Sequence, residues 1–362
     1  MALAKITLQN FRNHAASELG ETSHFNLLVG PNGAGKTNVL EAISLLAPGR
    51  GLRRAPLADL ARKPGSEGSG AAFAIGATLI EQGQVSARLG THVQEERPGR
   101  RLVRINGAET SAAALSEWHA IAWLTPAMDG IFTDSAGARR RFVDRMALSI
   151  EPAHARNVGQ FENALRERNR LLEDRAEARW LDAIEAQAAS AGATIAQTRA
   201  RLVARLADEL SVLPDEPFAR PVLVFRPGGP LDQTELRAAF ARERSRDRAA
   251  GRALTGPQRD ELDVVMARTG LPAAACSTGE QKAMLIAITL AHGALAASGR
   301  PSVLLLDEVA AHLDPVRRAE LFSRLRGAGT QVWLTGTEIA PFAEIESEAA
   351  IWRVEHGGVQ KA

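Results

Sequence analysis

Eight consecutive residues, Gly30, Pro31, Asn32, Gly33, Ala34, Gly35, Lys36 and Thr37, carry the pattern G-x-x-x-x-G-K-T. An apolar run over residues 25–29 precedes them, and Asn38 opens a helix-like stretch over 38–43. Strand, glycine-rich loop, helix is the setting in which this pattern cradles phosphate. The glycines let successive backbone N–H groups turn inward, and the helix N-terminus adds partial positive charge, so a triphosphate is held mainly by main chain. Lys36 would reach the β- and γ-phosphates, and the Thr37 hydroxyl would bind Mg²⁺. The competing reading is a glycine turn with a solvated lysine. With only five lysines in the chain, the pattern rarely arises by chance, and nucleotide binding is the better reading.

A second group of chemistry-bearing residues lies far downstream. The apolar run 303–306 ends on Asp307 and Glu308. Two uncompensated carboxylates at the end of a buried strand cost several kcal/mol, which makes sense beside a metal ion. Asp307 would hold Mg²⁺ opposite Thr37, and Glu308 would orient or deprotonate the attacking water. Ser277, Gly279 and Glu280 precede the helix that leads to this strand, and taken alone they read as a capping box. Lys36 and Asp307 must meet within metal-ligand reach across most of the chain, so an insertion must split the nucleotide domain.

The elements that position these groups follow from patterning. Residues 3–8 and 25–29 read as strands with a turn at 9–14. Residues 48–54 form a basic loop, where Arg53 and Arg54, with Arg12, could brace a phosphate. Residues 64–70 read as a flexible connection. Three β-like runs follow at 72–79, 85–90 and 102–105, the last before the turn pair Asn106-Gly107. Residues 150–210 change to long charged helices. There Trp180, Ile184, Ala188, Ala191, Ile195, Leu202 and Leu206 make an apolar stripe, and 157–172 offer an antiparallel partner. Residues 232–249 read as one arginine-rich helix with a solvated face. After a strand at 221–225, α/β alternation resumes, with strands at 261–266, 302–306 and 331–335 continuing one wound sheet.

Bulk composition bounds the function. Of 362 residues, 45% are hydrophobic and 24% charged, and the net charge is +2. That is an ordinary globular composition without a global basic field. The single Cys276 leaves no disulfide within the chain and no thiolate zinc site, and fits a reducing compartment. No apolar run reaches the roughly 18 residues of a bilayer span, and the N-terminal residues lack the apolar region of a signal peptide. A cytoplasmic setting is expected.

The order of these motifs resembles that of the ABC-type ATPases, and in detail the RecF family of SMC-like ABC ATPases. Asn10 to His14 is similar to that family's opening motif, and the phosphate loop through Asn38 fits it. Arg139 to Asp144, Leu165 to Leu172, Trp180 with Asp182, and Thr255 to Asp260 resemble further family segments. Ser277 to Lys282, Asp307-Glu308 and the Ala310-Ala311-His312-Leu313-Asp314 run complete the series. Departures are Gln258 in place of a common histidine, Glu280 in place of the signature glutamine, and Thr335-Gly336-Thr337 where many relatives carry a γ-phosphate-sensing histidine. No glutamine stands near 125–129 for a metal-sensing loop.

The resemblance implies an α/β fold. It is a split ABC-type P-loop ATPase head, with an antiparallel β subdomain, built from residues 1–148 and 251–362. A helical arm over 149–250 is inserted in it. Arg12 would join the ATP contacts, Ser277, Gly279 and Glu280 would meet ATP bound by a second copy, and Asp314 would lie in the D-loop. Further implications are ATP and Mg²⁺ as cofactors and an ATP-dependent homodimer at gapped or junction DNA, without sequence preference. RecR and RecO would be its partners and RecA the protein loaded, and a weak, DNA-stimulated ATPase would release the clamp. The alternative is the nucleotide-binding subunit of an ABC transporter, which shares the motifs but places them much closer together. An SMC-like bridge is disfavoured by the short arm and the absence of a Cys-x-x-Cys hook.

Overall fold

Apolar patterning divides most strands into two kinds, and the computed structural model, described here for residues 2–62, 72–81, 83–310 and 313–362, builds a six-stranded sheet from each and a third, two-stranded sheet as well. The expected connection at 64–70 lies outside the described residues. In chain order the first elements are β1 (Leu3–Phe11), β2 (His14–Gly20), β3 (Phe25–Val29) and α1 (Lys36–Ser44), then β4 (Phe73–Glu81), β5 (Gln84–Val93), β6 (Arg101–Ile105) and β7 (Ala108–Thr110). Next come α2 (Leu115–Trp118), β8 (Ala120–Leu124), α3 (Ala136–Ile150), α4 (His154–Glu173), α5 (Ala178–Ser211) and β9 (Pro221–Arg226). They are followed by α6 (Gln233–Arg242), α7 (Arg244–Ala250), β10 (Glu261–Met266), α8 (Thr278–Ala297) and β11 (Ser302–Leu306). The chain closes with α9 (Pro315–Gly327), β12 (Gln331–Gly336), β13 (Ala349–Glu355) and β14 (Gly358–Lys361). Among the described residues no helix is long and apolar enough to cross a membrane.

The chain forms two compact units: Met1–Met128 with Thr289–Ala362, and Asp129–Ile288. In the first, β14-β13-β3-β12-β11-β8 make a six-stranded sheet, parallel except for the edge pair β13/β14. Its inner strands β3, β11 and β12 are buried at every position, as continuous apolar runs covered on both faces should be. Trp333 and Trp352 stack across it, with ring centroids 5.4 Å apart. The second sheet, β2-β1-β4-β5-β6-β7, is antiparallel. Burial along β4 alternates, one face in and one out. The turn expected at residues 9–14 is tighter: β1 runs to Phe11, Arg12 and Asn13 make the turn, and β2 starts at His14. β8 and β13, both unanticipated, sit in the parallel sheet.

The second unit is organised around the antiparallel pair α4 and α5. Phe161, Ala164, Ala188, Ala189, Ile195, Leu236 and Phe240 form its core. Small residues let the backbones approach: a Cβ at Gly192 would lie 2.9 Å from the Phe161 ring. Trp180, expected on the stripe, is instead 56% exposed, and the Arg179 guanidinium lies 5.4 Å from its ring centroid. Eight residues of helix rotate it about 80° away from Ala188, whereas Leu181, seven residues before Ala188, stays on the face and is buried. The expected single helix over 232–249 is two, interrupted at Glu243. Its charge is not all solvated either, since Asp247 is buried against Arg168. β10 does not enter the parallel sheet; it pairs with β9 in a two-stranded ribbon.

This unit is larger than the 149–250 arm read from sequence, because it takes in 129–148 and 251–288 as well. Side-chain bonds give the reason. Arg139 on α3 grips Glu261 of β10 through two hydrogen bonds of 2.7 and 2.9 Å. Asp144 accepts two from Arg199 of α5, and Arg199 also donates to Asp260. The family-like segments Arg139–Asp144 and Thr255–Asp260 are therefore the joints of this unit. Gln258 belongs to the same local scaffold, donating to the carbonyls of Ala253 and Thr255.

Candidate nucleotide-binding site

Parallel order brings the C-terminal ends of β3, β12 and β11 side by side, and ligands of open α/β sheets bind beyond such ends. The phosphate loop follows β3, Asp307 follows β11, and Thr335 lies near the end of β12. Gly33 and Gly35 have positive φ, 81° and 118°, which a residue with a Cβ rarely adopts. Helix α1 starts with no side-chain cap and no acidic residue in its first turn. Its first N–H groups are thus left for an anion.

Lys36 is buried, and its ammonium donates to the carbonyls of Gly30 at 2.6 Å and Pro31 at 3.0 Å. Burial pulls its pKa below the ordinary lysine value, while the carboxylates of Glu308 and Asp307 push it back up. Thr37 donates to Asp307 Oδ1 at 2.9 Å, joining residues 270 apart in sequence. Asp307 is only 6% exposed, and burial holds its pKa above the usual carboxylate range; the hydroxyls of Thr335 and Thr37 offset part of that. A buried carboxylate hydrogen-bonded to two hydroxyls, one of them from the phosphate loop, is a donor set that fits Mg²⁺. Glu308 has φ of +55°, unusual for a residue with a Cβ.

Thr335, the first residue of the run standing where a γ-phosphate-sensing histidine is common, faces the two acidic residues instead. Its hydroxyl donates to Asp307 Oδ1 at 2.9 Å and accepts the Glu308 N–H at 2.8 Å, so one buried side chain fixes both acidic residues. The available signal was a polar residue near the carboxyl end of a strand otherwise made of apolar residues.

Arg12 lies beside the loop, but its guanidinium is committed elsewhere. Nε and one terminal nitrogen grip Glu41 of α1 at 2.9 Å each, and the other nitrogen donates to the Asp59 carbonyl. Arg53 reaches Asn38 at 2.7 Å and the same Glu41 at 3.1 Å. Arg54 is exposed, with φ of +56°.

In the second unit, Ser277 and Glu280 form the reciprocal capping box that the residues alone suggested. Ser277 N and Oγ donate to Glu280 Oε2 at 2.9 and 2.8 Å, and Glu280 N returns a bond to Ser277 Oγ at 3.3 Å. Gly279 sits within that first turn of α8. Asp314 caps α9 through the Arg317 N–H, whereas Ala311 and His312 of the same run lie outside the described residues. Residues 126–128 form a short 3₁₀ turn.

The family described as the RecF/RecN/SMC N terminal domain matches residues 2–359. A DNA replication and repair protein RecF from Mesorhizobium japonicum is 47% identical over 99% of this chain and 97% of its own. One from Brucella suis is 45% identical over 99% and 95%. The chain belongs to the RecF family. Among solved structures, a recombination mediator RecF with ATPrS superposes with a TM-score of 0.86 at 21% identity, covering 99% of this chain and 97% of that one. An Smc head bound to the C-winged helix domain of ScpA gives 0.53 at 16%, covering 100% and 98%. The RecF-family fold is thus an ABC-type ATPase head of the SMC-like kind, carrying additional helices.

Proposed function

We propose that this RecF-family chain is an ATP-switched DNA-binding clamp of recombinational repair. The observation that supports this most is the Thr37–Asp307 hydrogen bond, which assembles a phosphate loop and a buried carboxylate into one site. In this reading the inward N–H groups of the loop and Lys36 hold the triphosphate. Thr37 and Asp307 would hold Mg²⁺, which when bound would supply positive charge against the transferred phosphoryl group. Glu308, placed by Thr335, orients and deprotonates the attacking water.

The helix start at Ser277 to Glu280 of a second copy completes the site, so ATP binds the dimer better than the monomer and drives closure. DNA at gaps or single-strand/double-strand junctions is gripped through its backbone, without sequence preference. RecO and RecR act with the clamp to load RecA in the cytoplasm, and slow, DNA-stimulated hydrolysis releases it. The RecFOR pathway to which the structurally similar RecF is assigned supports this set of partners. The test is Glu308→Gln, which should bind Mg-ATP but turn it over at least about a hundredfold more slowly. Sedimentation velocity should then show a stable dimer that binds gapped duplex more tightly than the nucleotide-free chain. A monomer that stays unchanged at saturating Mg-ATP overturns the clamp.

A further inference from the structure

A phosphate loop works only if its N–H groups point inward, and each inward N–H belongs to a peptide whose carbonyl points the other way. The outer side of this loop is closed by two turns of the first unit. Asn13 Nδ2 donates to the Ala34 carbonyl at 2.8 Å, and Gly357 N donates to the same oxygen at 3.0 Å. His14 Nε2 lies 3.1 Å from the Gly35 carbonyl, so its hydrogen sits on Nε2 and points at the loop. Asn13 Oδ1 in turn accepts from Asn38 at 2.8 Å. His14 is fully buried, and that burial holds its pKa below the ordinary histidine value. The fit leaves no slack. A Cβ at Gly35 would lie 2.7 Å from Asn13 and 2.8 Å from His14, and one at Gly357 would lie 2.1 Å from the Asn13 carbonyl oxygen.

We infer that Asn13 and His14 are positioning residues for nucleotide binding. By fixing the Ala34 and Gly35 carbonyls outward, they aim the N–H groups of Gly35 and Lys36 at the phosphates before any nucleotide arrives. They touch the loop from behind, through the main chain. Without them the Ala34 carbonyl keeps only the Gly357 N–H and the Gly35 carbonyl only the first helical bonds from Asn38 and Val39, so both peptides are held more loosely and binding must supply part of their ordering. This rests on the nucleotide reading above, so the experiment carries its own control for it.

Titration calorimetry with Mg-ATP is performed on the parent chain and on Lys36→Ala, Asn13→Asp, His14→Leu and His14→Gln. Asn13→Asp keeps the size and the acceptor for Asn38 but replaces the donor with a second acceptor against the Ala34 carbonyl. It should weaken ATP by about tenfold or more, and His14→Leu by about tenfold. His14→Gln, which retains a donor, should stay within about threefold of the parent. The melting temperature of nucleotide-free Asn13→Asp should stay within a few degrees of the parent's while its ATP-induced rise is reduced by about half at a ligand concentration of about a hundred times the parent's Kd. Parental affinity in Asn13→Asp overturns the inference, whatever His14→Leu does. Absence of binding in the parent, or parental binding in Lys36→Ala, instead overturns the nucleotide reading itself.

Discussion

One hydroxyl holds two acidic residues at the site. Thr335 is buried, and its Oγ bridges Asp307 Oδ1 and the Glu308 N–H. Replacing it with valine keeps the shape but leaves the partly buried Glu308 N–H without its bond, at a cost of about 1 kcal/mol. The Glu308 backbone, already at positive φ, loses a bond that holds it there. Thr335→Val should therefore bind Mg-ATP nearly as the parent does but hydrolyse it roughly tenfold more slowly, and Thr335→Ser should recover most of the rate. Steady-state phosphate release beside a nucleotide titration separates the two effects; an unchanged turnover number removes Thr335 from the site. Residues at this scale were legible where a spacing encodes the chemistry. Gly30 to Thr37 and Asp307-Glu308 could be named from sequence because loop, lysine and paired carboxylates follow a fixed order. Thr335 could be placed near the γ-phosphate only by the position of the 335–337 run, because a lone threonine in a strand has no spacing that gives it a role. The pairing of Arg12 with Glu41 could not be named, since only folding brings the opening turn onto α1.

The arm shows where element-level patterning succeeds and where it stops. Helices over 154–173 and 178–211 follow from the apolar stripe, and the stripe misplaces Trp180 because steps of four residues drift around the helix. The strand at 261–266 was visible, but its partner was not, because alternation specifies a face and leaves the neighbour open. Ion pairs supply the specificity that the pattern lacks. Arg168, fully buried on α4, donates to Glu185 of α5 at 3.0 Å, Asp247 of α7 at 2.7 Å and the Phe240 carbonyl of α6 at 2.8 Å. One side chain thus ties three other helices together. Arg168→Ala leaves Asp247 buried without its cation and should cost about 3–5 kcal/mol. In urea melts the midpoint should fall with little change in slope, and a loss below about 1 kcal/mol would show that the cluster is incidental to stability.

For the whole molecule, the proposed second-copy contact makes a single chain half of a working site. Ser277 is exposed at the start of α8, and its local task is a capping bond to Glu280. A residue whose only duty is a cap tolerates replacement at about 1 kcal/mol. If the same helix start also meets the triphosphate of a second copy, a bulky cation there blocks closure at a cost far above that of the cap. Ser277→Ala supplies the comparison, because it loses the capping hydroxyl without adding bulk. Ser277→Arg should retain the parent's affinity for Mg-ATP, since Lys36, Thr37 and Asp307 are untouched, and should sediment as a monomer at every nucleotide concentration. Ser277→Ala should still dimerise, with affinity reduced by roughly tenfold or less. Combining Ser277→Arg with Glu308→Gln removes hydrolysis as an explanation, because the double variant should remain monomeric where Glu308→Gln alone is a dimer. A Ser277→Arg chain that dimerises as readily as the parent would return the serine to a purely local role and leave the second copy without a part in the chemistry.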